Sequence, residues 1–159
     1  MAKPIRNEDV ERSLINHIAK EIVEGVSIDT SGERFEPEKH REWIEPRIGT
    51  LIHEQQSRPD EEFARMDLVV RCFVKVEQKG RRRLDLSILV DKVLDVLGGE
   101  RQVNAAIIRL EDKTDVGRIQ FGSSEQSRAF GTAITVAGVS IIGLDVATIL
   151  IPTLVTGDP

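Results

Sequence analysis

Tyrosine is absent from this chain, tryptophan occurs once, and aromatic residues make up only 4% of it. So thin a set leaves no row of rings on which nucleobases would stack. Cysteine is almost missing as well. Cys72 stands alone, which rules out a disulfide within the chain and suits a reducing cytoplasmic site of synthesis. Positive charge is outnumbered, with 22 Lys and Arg against 27 Asp and Glu, giving a formal charge of -5 and a pI near 5.3. That balance argues against a protein that grips nucleic acid over most of its surface, while leaving room for a local basic patch. Met1 to Asn16 contains no apolar core of the kind a signal peptide needs, so no leader is expected.

What is present describes one globular domain. The chain has 159 residues, 40% of them hydrophobic and 31% charged, enough to bury a single core. The segment Ala129 to Val155 carries one charge, Asp145, and is long enough to raise the question of a membrane span. Its Gly, Thr and Val content, the interruption at Pro152 and the lack of basic flanks favour two or three β-strands instead.

Hydrophobic spacing predicts two helices. In the first, Asn7 is a suitable N-cap, and Glu8, Asp9 and Glu11 place negative charge where the helix dipole favours it. Val10, Leu14, Ile18 and Ile22, widened by Ile15, form its apolar stripe, and Gly25 is a natural stop. The second runs from Leu84 to Leu97 on Leu86, Leu89, Val90, Val93 and Leu97, and Gly98-Gly99 closes it. Residues 27–41 are polar and aperiodic, and so read as a loop.

A first strand is expected at about Trp43 to His53, where Ile44, Ile48 and Ile52 share one parity; Pro46 within it suits an edge position. The clearest strand follows. Met66, Leu68, Val70, Cys72, Val74 and Val76 lie on one face, and Arg65, Asp67, Arg71 and Lys75 on the other. Such alternation marks an antiparallel strand covered on one side, whose charged side meets water or a partner. From Val103 onward the texture is β, with strands at Val103–Leu110 and Val116–Phe121 and polar turns at 111–115 and 123–127. The fold class is therefore α+β: a single domain with two helices packed on one face of a mainly antiparallel sheet. The other sheet face, short of cover, points to self-association.

No residue pattern in the chain points to catalytic chemistry. His17, His40 and His53 are scattered over a helix, a loop and a strand, without metal-ligand spacing. The acidic clusters Asp60-Glu61-Glu62 and Glu111-Asp112 sit in polar turns, where burial does not separate their pKa values. Gly98-Gly99 follows a helix when a phosphate cradle would lead into one. The serines lack a nucleophile elbow. Cys72, inside the run Leu68 to Val74, reads as a buried thiol and not a nucleophile. The expectation is a non-enzyme with no cofactor and no metal. The densest charge feature, Lys79 with Arg81, Arg82 and Arg83, would serve salt bridges between subunits in preference to phosphates.

In order, then, come a leading amphipathic helix, a long polar loop, a strand around Trp43-Ile44-Glu45-Pro46-Arg47, a long alternating strand, the helix Leu84 to Leu97 and a β-rich end. This arrangement resembles the tail terminator proteins of tailed bacteriophages, also called tail-completion or minor-tail-U-like proteins. The likeness covers nearly the whole chain and lies in element order and texture, with no specific motif. It implies a structural virion protein: a homo-oligomeric ring, usually a hexamer, that caps the tail tube. The ring joins the tube to the head-tail connector protein at the neck and is assembled in the host cytoplasm. Its partners would be further copies, the tail tube protein and the connector protein, with genome DNA passing through the lumen without specific binding, and no membrane.

On that reading the acidic balance suits a lumen in which DNA slides. Arg65, Asp67, Arg71 and Lys75 would form a charged seam between subunits, and the loops Asp29–Lys39 and Glu111–Asp115 would touch neighbouring rings. Residues 145–159 depart from the pattern as an apolar C-terminal extension or arm. The alternatives are another neck or tail component, such as a head-closure protein or tube subunit, or outside that class a small dimeric binding or adaptor module.

Overall fold

The computed structural model describes residues 7–21, 27–29, 36, 39–54, 62–75, 84–97, 107–109, 118–136 and 139–157. Several expectations lie outside them: the end of the first stripe at Ile22 and Gly25, most of the polar loop, the basic run Lys79 to Arg83, Gly98-Gly99 and the turn at 111–115.

Two helices form where apolar spacing placed them. Helix α1 (Asn7–Glu21) buries Val10, Leu14 and Ile18, and Glu8 pairs with Arg12 one turn on along its exposed side. Helix α2 (Leu84–Leu97) buries the whole expected stripe and adds Leu94 and Val96, because it lies across the middle of the sheet. Each large aliphatic side chain so buried stabilises the fold by roughly 1.5–3 kcal/mol.

The strands are β1 (Ser27–Ile28), β2 (Glu42–Ile48), β3 (Ile52–Glu54), β4 (Glu62–Lys75), β5 (Ile107–Arg109), β6 (Arg118–Phe121), β7 (Glu125–Val136) and β8 (Val139–Gly157). They make one sheet in the order β1-β2-β4-β8-β6-β5, with β3 beside β4 and β7 beside β8. Every pairing is antiparallel except β1 with β2. This is the α+β single domain the sequence implied. Ala64, Met66, Leu68, Val70, Cys72 and Val74 of β4, with Ala147, Ile149, Ile151 and Val155 of β8, meet both helices in the main core. The alternation read along β4 is thus real.

Four expectations need correction. Ser27 and Ile28 are not loop: they pair in parallel with Trp43 and Ile44. The expected strand Trp43–His53 is two strands. Between Ile48↔Leu68 and Ile52↔Arg65, three residues oppose two, so the parity flips and Ile52 turns to the face away from the helices, 62% exposed. Gly49 sits at this slip with its N–H bonded to the Asp67 carbonyl, so close that a Cβ there would stand 2.8 Å from that oxygen. The polar stretch 123–127 is only half a turn, since Glu125 already begins β7.

The fourth concerns residues 145–159, expected as an extension or arm. Through Gly157 they are the middle of the sheet: β8 pairs with the entire length of β4, from Glu62↔Gly157 to Lys75↔Leu144. Pro152 does not interrupt it. A strand residue's own N–H and C=O point to the same edge, and the Pro152 carbonyl accepts from Gly122 N–H at 2.7 Å. On that edge β6 ends opposite Thr153 and β7 begins opposite Leu150, so the missing proline N–H falls at the gap between the two ladders, beside Gly122, and not within either.

Candidate assembly surface

The sheet face turned away from the helices carries Trp43, Glu45 and Arg47 from β2 and the odd-numbered residues of β4. It also carries the even-numbered residues of β8 from Leu144 onward, by direct pairing. Arg65, Asp67, Arg71 and Lys75 all lie here, brought into one row as their spacing implied. They are not equivalent. Arg65 and Asp67 are exposed, whereas Arg71 and Lys75 are half-buried.

Glu45 is the hub of the half-buried end. It is buried and faces Arg71 directly across the β2–β4 pair. Arg71 donates to its Oε1 from Nε at 3.1 Å and Nη2 at 2.5 Å, and Arg47 Nε lies 2.6 Å from the same oxygen. Two guanidinium groups around one carboxylate compensate its removal from water. Nearby, burial pushes the Asp29 carboxyl above its usual range; the negative Glu45 adds to this, while Arg47 and Arg71 oppose it. The Asp29 N–H is bonded to the Ile44 carbonyl, which carries the line of β1 one residue further.

Beside this hub is a second, small core that the sequence did not reveal. Trp43 and Phe73 stack with centroids 5.0 Å apart, and Leu144 completes a cluster that is fully buried, with Ile141 and Val146 at its margin. Arg71 lies 5.3 Å from the Phe73 ring centre and Lys75 5.9 Å from that of Trp43, within cation–π range. The helix-free face is therefore closed at this end. At the other end it stays open as a groove of about 690 Å³, whose lining includes Ile52, Arg65, Asp67, Pro152 and Leu154.

A further surface is made by β7 and the first residues of β8. Among the described residues no strand pairs with the outer edge of β7, and β8 from Val139 to Gly143 has only β7 beside it. From Ala129 to Leu144 this arm contains no charged residue. Phe130 is 40% exposed and Ile142 is 79% exposed. Its shape is set by register shifts between Ala129 and Ile134 and by glycines in the left-handed region, Gly131 at φ 63° and Gly143 at φ 72°. Asp145, the one charge between Ala129 and Val155, is buried there and accepts the Gly131 N–H at 3.1 Å, fastening the irregularity. Arg128 ties β7 to α2 by donating to Ser87 Oγ at 2.8 Å.

Cys72 is buried between sheet and helices, and that burial pushes its thiol up to about 12, with Arg128 opposing. Among the described residues no three His, Cys, Asp or Glu side chains gather into a metal-binding group, and no helix is long and apolar enough to cross a membrane. Ser27 Oγ lies 2.8 Å from His40 Nδ1, and the His17 ring lies against Phe121. Arg81, Arg82 and Arg83 fall outside the described residues. No protein-family model matches the chain, and no curated protein is significantly similar to it.

Proposed function

We propose that this chain is a non-enzymatic structural virion protein, a ring-forming tail terminator that caps the tail tube and joins it to the head connector. The observation that carries the reading is the uncharged, exposed β7–β8 arm on a chain otherwise rich in charge. Natural sheets guard a long edge with lysine, proline, bulges or cover; this arm has register shifts between Ala129 and Ile134, but no charge and no proline over sixteen residues. An edge left in that state suits a subunit whose surface is completed by assembly. The element order that resembles the tail terminators gives the assembly its kind. Its other members would be the tube and connector proteins, with DNA crossing an acidic lumen unbound.

Native mass measurement of the purified chain, with negative-stain microscopy, tests this. A closed ring, expected as a hexamer, supports it. A particle that remains monomeric or dimeric at high concentration overturns it and favours the small adaptor module.

A further inference from the structure

We infer that copies join head to tail, the β7–β8 arm of one seating in the groove at the far end of the next copy's sheet. The inference deepens the ring reading and rests on it. Arm and groove are built on one strand: β8 supplies Val139–Gly143 to the arm and Pro152–Leu154 to the groove. Pro152 lies eight steps along the chain from Leu144, which at the rise of an extended strand is about 26 Å. The strand between them is paired on β4 throughout, so the arm cannot fold back into its own groove.

The two surfaces match in chemistry. The arm is uncharged and presents Ile142 and Phe130; the groove offers Ile52, Pro152 and Leu154, with Arg65 and Asp67 of opposite sign cancelling at its wall. A neutral, apolar segment fits such a site, whereas a charged partner would lose its hydration there without a net counter-charge. A contact between two different surfaces at opposite ends of a subunit is heterologous, and a heterologous contact closes into rings or runs on as filaments. A second copy is thus the occupant that supplies the arm and accounts for a ring.

Two substitutions at exposed positions separate the surfaces without touching the core: Ile142→Glu on the arm and Ile52→Glu in the groove. Each variant alone is expected to lose the assembly while keeping the far-ultraviolet circular dichroism of the parent and a cooperative unfolding transition. Mixed in equal amounts, the two restore one good junction, because the groove of the first accepts the arm of the second. The mass should then double to a dimer and go no further. A ring that survives both substitutions overturns the arm–groove contact but leaves the ring reading standing. Variants that fall apart and give no dimer on mixing overturn the head-to-tail geometry. A parent chain that is itself monomeric overturns the ring reading, and this contact with it.

Discussion

Glu45 shows how a single position decides the character of a surface. A carboxylate buried beside aromatic rings is costly unless its charge is matched, and Arg71 and Arg47 match it. Removing Arg71 leaves the carboxylate with one partner and uncovers the Phe73 ring. Arg71→Ala should therefore lower stability by about 1–3 kcal/mol in urea unfolding at neutral pH. Arg65→Ala, on an exposed side chain of the same row, should cost less, no more than about 1 kcal/mol. Equal losses would mean that the Glu45 hub is no more important than the exposed end.

Asp29 gives a second residue-scale test. Its carboxyl is held above the usual range by burial and by Glu45, so folding favours its protonated form. A group with a raised folded-state pKa penalises the native state above that pKa, and the penalty fades as pH falls toward the unfolded value of 3.8. Asp29→Asn should then raise the melting temperature at pH 7, with the gain shrinking as acid protonates the parent residue. A gain that grows on acidification would show the sign to be wrong.

At the scale of elements, glycine positions separate two kinds of constraint. Gly49 needs its missing Cβ because the Asp67 carbonyl stands in the way, whereas a Cβ at Gly131 meets nothing within 4 Å and suffers only from φ 63°. Gly131→Ala should cost roughly 1–2 kcal/mol, the usual penalty of the left-handed region. Gly49→Ala should cost more, since backbone atoms must move apart and the β2–β3 slip with them. The reverse order, read from chemical denaturation, would place the tighter constraint in the arm.

These same elements show which parts of the structure local sequence could reveal. The alternation of β4 and the stripe of α2 repeat within a few residues, so both were visible, and with them the row Arg65, Asp67, Arg71 and Lys75. The face taken by Ile52 depends on one extra residue counted against a partner strand, which no spacing within the segment records. Pro152 looked like a break because its harmlessness depends on where β6 gives way to β7, some thirty residues earlier in the chain. The Trp43–Phe73–Leu144 cluster likewise joins three distant segments through register alone. Polarity at Glu125–Ser127 suggests a turn, yet it marks the exposed start of an edge strand.

For the whole molecule, two surfaces compete as the basis of the proposed assembly, and salt distinguishes them. A seam built on Arg65, Asp67, Arg71 and Lys75 would draw on charge attraction, which is screened over about 3 Å at 1 M salt and about 10 Å at 0.1 M. The geometry already weakens that seam: Arg71 is committed to Glu45, and Lys75 lies by the Trp43 ring. Docking of the neutral arm draws on burial of Ile142, Phe130 and Ile52, worth roughly 25 cal/mol for each Å² removed from water. That driving force is not screened and is strengthened by excluded salts such as sulfate. The assembled fraction, followed by sedimentation velocity, should therefore hold steady or rise from low salt to about 1 M sodium sulfate. Progressive dissociation over that range would return the interface to the charged row and make the arm a bystander.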